Sequence, residues 1–160
     1  MFREMRRIRQ QLSKEETVAI LERNTAGTLA LLGDGGYPYS VPISYAYNDG
    51  KIIFHGALSG HKFDAISACD KASFSVIDLD DILPEKYTTR YRSAIAFGRV
   101  RMLTDENEKR AAADILAAKY RPGYEAERTA EIEGSFSRLC MMELNIEHLS
   151  GKQAKELVKN

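Results

Sequence analysis

The chain has 160 residues, 44% of them hydrophobic and 29% charged, with 23 basic side chains against 23 acidic ones. That length suits one domain with one core, spanning 1–160, and the balanced charge disfavours a general nucleic-acid or membrane-surface binder. No run approaches the ~20 apolar residues of a membrane-spanning helix and no signal-peptide pattern appears, so the chain is expected to stay in the cytoplasm.

The first ten residues crowd Arg3, Arg6, Arg7 and Arg9 together, which makes either a solvated arm or a contact for an acidic partner or a neighbouring subunit. Ser13-Lys14-Glu15-Glu16 is a capping-box pattern, and Val18, Ile20 and Leu21 after it predict a short amphipathic helix ending near Asn24. Residues 1–24 thus form an arm and a bracketing helix. Thr25 to Leu32 reads as a strand stopped by Gly33-Asp34-Gly35-Gly36, with Tyr37 to Tyr47 as its hairpin partner. Asn48-Asp49-Gly50 is a second tight turn that sends Lys51 to His55 back beside Tyr37 to Tyr47. Pro38 and Pro42 cannot donate to a ladder, so the middle strand must be bulged or open on one side there.

His61 to Cys69 predicts a short helix and Lys71 to Asp78 a fourth strand. Leu79 to Arg90, with Pro84 and several carboxylates, reads as an exposed loop. Tyr91 to Leu103 is a fifth strand holding Gly98, where a bulge or a close backbone approach is expected. Thr104 or Asp105 caps a helix over Glu106 to Tyr120, whose Ala111, Ile115, Leu116 and Ala118 form one apolar side, and Glu125 to Glu133 continues a helical insertion spanning 104–133. Ser137 to Ile146 returns to strand, and 147–160 reads as a polar tail. Six strands joined by tight turns, with short flanking helices, predict a mainly β antiparallel barrel or strongly coiled sheet. Cys69 and Cys140 lie far apart, outside any Cys-x-x-Cys spacing, so neither a metal site nor a disulfide is expected and both should pack as small apolar groups.

The chemistry concentrates between Tyr37 and Ile66. Two strands, a Gly60-His61-Lys62 bend and a helix start can offer backbone N–H groups and a lysine ammonium to one phosphate, beside strands carrying the apolar and aromatic residues a flat ring needs. A nucleotide with a planar head, flavin first among them, is the ligand this order favours. The competing reading of Lys62 is a solvated lysine on an exposed turn, and of His61 a surface histidine.

With V-P-I-S at Val41–Ser44, F-H-G-A at Phe54–Ala57, G-H-K-F-D-A-I from Gly60, and Y-R-S-A-I-A-F-G-R-V from Tyr91, the chain resembles the pyridoxamine 5′-phosphate oxidase-like FMN-binding split barrels. Within them it looks most like the Nim-type nitroimidazole-resistance proteins. The resemblance implies a six-stranded antiparallel split barrel and a homodimer with two FMN sites at the subunit interface. Each site would be assembled from strands of one protomer and completed by the other. FMN is the favoured cofactor and FAD, which carries the same first phosphate, is the less favoured alternative.

On that resemblance Val41, Pro42, Ile43 and Ser44 face the flavin ring. Phe54, His55, Gly56 and Ala57 line it, Gly60, His61 and Lys62 hold the phosphate, and Arg92 and Ser93 reach the phosphate or the ring carbonyls. His55 is the candidate proton donor, its ordinary pKa near ~6.5 suiting that work; a packed strand-end histidine is the alternative. Tyr37, Tyr39, Tyr45 and Tyr47 alternate along one strand, with Tyr87 and Tyr91 near a later one, and read as core, dimer or pocket wall. The expected activity is electron transfer from NAD(P)H or another reductant to a small planar acceptor, nitroaromatic- or quinone-like. A non-catalytic flavin store or sensor is the alternative, and haem binding through His55 or His61 the lesser one.

Overall fold

In the computed structural model, which describes residues 2–158, α1 (Lys14–Arg23) begins as the capping box predicts. The Glu16 amide donates to the Ser13 hydroxyl at 3.1 Å, and the Ser13 amide donates to the Glu16 carboxylate at 2.8 Å. These bonds satisfy amides that a helix start leaves without partners. Thr17, Ile20 and Leu21 form the buried face of α1.

β1 (Ala26–Leu32) and β2 (Pro38–Ser44) form the predicted hairpin, reversed at Gly35 and Gly36, both at positive φ. β3 (Ala46–Asn48) and β4 (Lys51–Gly56) form the second one, reversed at Asp49 and Gly50. The single strand expected from Tyr37 to Tyr47 is therefore two strands, and the sheet has seven in all. Its order is β2, β1, β5, β6, β7, β4, β3, with every neighbour antiparallel. β2 and β3 occupy opposite edges, yet only Tyr45 separates them along the chain. The sheet must curl until its two edges come together there, which is the geometry of a split barrel.

The core lies inside this curl. Leu29, Ile52, Phe54, Phe74, Met142 and Leu144 have no measurable exposure, and Tyr45 joins them. The Tyr45 hydroxyl donates to the Leu21 carbonyl at 2.8 Å, and its ring meets Phe74 edge-on at 4.9 Å. The four alternating tyrosines do not share a face, because the chain turns at Tyr45. Tyr37 is 77% exposed, Tyr39 and Tyr47 are half-buried, and Tyr45 is fully buried.

Three other elements depart from the expectations. β5 (Lys71–Leu83) and β6 (Thr88–Met102) run on through the segment read as a loop, pairing out to Leu83 and Thr88 around a tight turn at Pro84–Lys86 closed by Tyr87 at φ 47°. Ladder bonds tolerate the acidic side chains because these point outward, where Asp81 pairs with Arg90. β7 (Cys140–Gln153) likewise continues through the start of the presumed tail, because β6 supplies its partner as far as Arg92 opposite Gln153.

α2 (His61–Ala68), α3 (Glu106–Tyr120) and α4 (Glu125–Ser135) match the predicted helices closely. The buried stripe of α3, however, is Ala112, Ala113 and Leu116, with Ala111 exposed and Ile115 half-buried. An alanine-rich helix has little hydrophobic asymmetry of its own, so its packing against α4 and the sheet selects the face. Among the described residues no helix is long and apolar enough to cross a membrane.

Gly98 sits at the register shift between Phe97 and Gly98 on β6, where a Cβ would lie 1.9 Å from the Asn145 carbonyl oxygen. Backbone cannot yield as a flexible side chain would. Gly98→Ala is expected to destabilise the fold by about 2–4 kcal/mol. Urea unfolding measures this, and an unchanged midpoint would show that the bulge accepts a side chain.

Candidate functional site

β4 delivers the chain to α2 through Ala57–Gly60, and Gly60 enters the helix at φ 106°, a conformation L residues rarely adopt. Among the described residues no side chain caps α2, so the first-turn amides of His61, Lys62 and Phe63 are left to the helix N-terminus and its positive dipole end. Lys62 folds back over the end of β4, where its Nζ donates to the His55 carbonyl at 3.3 Å and lies 6.0 Å from the Phe54 ring centroid. Gly56 makes the room: a Cβ there would stand 2.7 Å from Met142 Cε and 3.1 Å from Lys62 Nζ.

Burial pushes the Lys62 pKa down from its ordinary value, weakly opposed by the neighbouring Cys140. Among the described residues no carboxylate stands within 4.0 Å of this ammonium. A partly desolvated cation whose partner is one backbone carbonyl, beside uncapped helix amides, is a place where an anion gains more than it would in water.

His61 points the other way. Its ring stacks on Tyr39 of β2 at 4.0 Å and 18°, and its Nε2 lies 3.8 Å from the Asp34 carboxylate. The stack braces the start of α2 against β2, whose Val41 and Ile43 are half-buried while Pro42 and Ser44 are exposed. β2 is an edge strand, so the side of its backbone away from β1 has no strand partner among the described residues.

Behind the bend, His55 and Ser44 open into a cavity of about 370 Å³ whose far wall is Leu116 and Tyr120 of α3, Ile132 of α4, and Met141 of β7. The cavity exists because β4 pairs with β7, setting His55 opposite Met141 and Gly56 opposite Cys140, while α3 and α4 roof that end of the sheet. Burial, and secondarily the Lys62 charge, holds the His55 imidazole below its ordinary pKa, although the ring reaches solvent at the cavity mouth. A neutral imidazole at the edge of an apolar cavity can hydrogen-bond a ligand through its N–H or accept a proton, becoming an imidazolium that can then give that proton up. Sequence reasoning missed Leu116, Tyr120, Ile132 and Met141 as site residues. No local signal marks them, because each acquires its place only through the β4–β7 pairing and the fold-back of α3 and α4.

Arg92 and Ser93 lie elsewhere. They pair with Gln153 and Lys152 on β7, eleven or more residues along that strand from Met141 opposite His55, or about 35–40 Å of strand. Arg92 contacts the Asp78 carboxylate at 3.4 Å and lines a groove with Arg9, Arg23 and Gln153. Within one chain the fold brings Val41–Ser44, Phe54–Ala57 and Gly60–Lys62 to one region and leaves Arg92 and Ser93 out of it.

Residues 13–153 match the sequence model of the pyridoxamine 5′-phosphate oxidase family, and the chain belongs to that family. Similar solved structures include a proposed 5-nitroimidazole antibiotic resistance protein from Bacteroides thetaiotaomicron, 19% identical with a TM-score of 0.77, covering 89% of this chain and 86% of that one. A FAD and haem binding protein from Mycobacterium smegmatis is 25% identical with a TM-score of 0.77, over 94% of this chain and 76% of that one. A FAD-binding protein from Mesorhizobium loti is 25% identical with a TM-score of 0.65, over 91% of this chain and 98% of that one. No curated protein sequence matches. The expected family and split-barrel fold are thus borne out, with seven strands in place of six.

The His55 imidazole is expected to titrate below the ordinary value of about 6.5, and Lys62→Met to move it back upward by removing a nearby positive charge. Because the folded chain binds this proton less readily than the unfolded one, the neutral form favours the fold above the unfolded value. That contribution is lost as pH falls toward and through the lower folded value. NMR titration of the ring protons checks both statements, and a midpoint at or above the ordinary value contradicts them.

Proposed function

We propose that the chain binds a flavin nucleotide, FMN in the first instance, and is an oxidoreductase acting on a small planar acceptor. The observation that carries this is Lys62, an ammonium without a carboxylate partner among the described residues, set beside the uncapped start of α2 and next to the edge strand β2. The residues present fit a phosphorylated planar ligand. A phosphate fits the amides and the ammonium of Gly60–Lys62, and a flat ring fits the apolar segments Val41–Ser44 and Phe54–Ala57. Family membership supports the reading, as do similar proteins at 25% identity that are named for binding FAD. The one phosphate cradle is all that FMN requires, and FAD, which carries the same first phosphate, is the alternative.

When bound, a flavin supplies the two-electron chemistry. This chain's residues would hold its phosphate at Lys62, orient its ring against β2 and β4, and exclude water with Leu116, Ile132 and Met141. His55 would take up a proton from solvent at the cavity mouth and pass it from the resulting imidazolium to an acceptor seated in the cavity of about 370 Å³, returning to the neutral ring. That volume and its apolar walls suit a nitroaromatic- or quinone-like acceptor, the chemistry of the Nim-type branch. With no G-x-G-x-x-G fingerprint in the chain, NAD(P)H would have to occupy the same slot transiently.

The site is shared between two copies in this reading, with Arg92 and Ser93 of a second copy completing it. The outward face of β5 and β6 supports a homodimer: Ile77 is 71%, Ile95 41% and Phe97 38% exposed, all on one side of the sheet. Water-exposed apolar side chains aligned in this way gain from being covered. The chain's setting would be the cytoplasm.

Lys62→Ala is expected to weaken FMN binding about 10- to 100-fold, some 1.5–3 kcal/mol for a charge-assisted contact, as read by flavin fluorescence titration. An unchanged dissociation constant would place the phosphate elsewhere. The spectrum and mass of the copurifying chromophore separate FMN, FAD and haem. Steady-state turnover with NADH or NADPH and a nitroaromatic or quinone separates an enzyme from a flavin store. A reduced flavin that no acceptor reoxidises would mean storage or sensing.

A further inference from the structure

The cavity behind His55 has one wall that carries charge. α4 contributes Glu131, Ile132 and Ser135 to it, opposite the apolar Leu116 of α3 and Met141 of β7. The polar residues of the lining are Ser44, His55, Tyr120, Glu131 and Ser135, and the fold already uses the hydroxyls of two of them. The Tyr120 hydroxyl accepts from the Tyr45 amide at 3.1 Å and donates to the Thr25 carbonyl, and the Ser135 hydroxyl donates to the Glu131 carbonyl at 2.9 Å. Ser44, His55 and Glu131 are left to a ligand, and of these the Glu131 carboxylate carries the formal charge at neutral pH.

The cations around α4 are engaged elsewhere. Among the described residues Arg128 is taken by Asp114 at 3.0 Å, Arg110 by Glu106 and Glu133 at 3.0 and 2.8 Å, and the Lys109 ammonium by the Phe136 carbonyl at 2.7 Å. Arg138 lines a groove on the outer side of His55, with Gly56 and Ala57, and no ion pair within 4.0 Å joins it to Glu131 among the described residues. Ser135 borders both that groove and the cavity, so it marks the His55 end of the α4 wall. Glu131 stands four residues before it, about 6 Å along the helix axis. The cavity therefore has a cation outside His55, an anion beyond it, and apolar walls between.

We propose that Glu131 makes this cavity selective for an acceptor with a cationic head, a protonated amine or amidine carried on a flat aromatic body, over an anionic one. The inference rests on reading the cavity as the acceptor's seat, and it names the class of acceptor. The ring lies against Leu116, Ile132 and Met141, where loss of apolar area to water holds it. The head sits at Glu131, an exposed residue, so it gains a charge-assisted contact while keeping part of its hydration, and no isolated charge is buried. The reverse orientation would carry the cation toward Arg138, so the head also fixes which end of the ring faces His55. A carboxylate head is repelled by Glu131 and drawn toward Arg138, which turns the opposite end of the ring away from His55.

The test compares 4-nitrobenzylamine, 4-nitrotoluene and 4-nitrobenzoate, which share a ring and a nitro group and differ in the charge opposite it. Two readouts are taken on the full chain, with and without added FMN: steady-state turnover with NADPH, and the shift of the Met141 methyl resonance, which follows occupancy of the cavity without chemistry. At low salt the amine is expected to bind about 3- to 10-fold more tightly than 4-nitrotoluene, and 4-nitrobenzoate more weakly than either. Glu131→Gln should remove that preference and leave 4-nitrotoluene unchanged. Glu127→Gln, the same charge change one turn earlier on α4 and outside the cavity lining, should leave the preference intact. The proposal is overturned if none of the three shifts Met141, if the amine does not lead the order, or if Glu127→Gln lowers the preference as much as Glu131→Gln does. Absent turnover with all three while the order at Met141 holds would sink the oxidoreductase reading and leave the selection standing. Turnover of all three at equal kcat/KM, in the natural chain and in Glu131→Gln alike, would do the opposite.

Discussion

Tyr45 joins a strand at one edge of the sheet to a strand at the other, and the rest of the molecule depends on that corner. Two edges held one residue apart cannot belong to a flat sheet, so the seven strands curl and enclose a core. The corner is made rigid from three sides. Its hydroxyl donates to Leu21 at the end of α1, its ring packs against Phe74 of β5, and its amide donates to the hydroxyl of Tyr120 at 3.1 Å. Tyr120 in turn donates to the Thr25 carbonyl, and Lys119 donates to the carbonyls of Leu21 and Asn24. The helical insertion is therefore fastened to the corner of the barrel. The cavity it roofs beside His55 inherits that rigidity, which a surface flap would lack.

Charge tells a second story that the net balance hides. Glu143, only 4% exposed, would be costly alone, but Lys51 reaches it at 3.2 Å and Arg101 at 2.8 Å. Asp78 is held by Arg23 and Arg92, and Arg99, Arg101 and Arg110 each bridge to surface carboxylates. Such exposed pairs contribute little stability individually. Lys62 lies outside this network among the described residues, its ammonium reaching only the His55 carbonyl beside the uncapped start of α2.

Much of the candidate site was readable from the chain. Gly60-His61-Lys62 opens a helix as its residue types require, and F-H-G-A ends the strand before it. What misled was continuity: an alternating run from Tyr37 to Tyr47 looks like one strand, because nothing in period-two alternation reveals that a chain changes edges midway. The acidic run after Asp78 looked like a loop for a related reason. Composition reports solvent exposure, and the outward side of a long hairpin is as exposed as a loop. Arg92 and Ser93 appeared close to the phosphate bend only through family likeness, while the register along β7 sets them at the far end of the same strand.

The sequence alone determined the features whose causes are local: the capping box of α1, the Asp49-Gly50 reversal and the glycine entry to α2. Each rests on dihedral preference or on bonds between residues a few positions apart, so the residues present are enough to predict it. The tertiary structure decided which edges met, which stripe of α3 was buried, and that Met141 and Leu116 would face His55. Those outcomes depend on burial and pairing between segments distant in the chain, where many arrangements satisfy local preference and only the packing of the whole selects one.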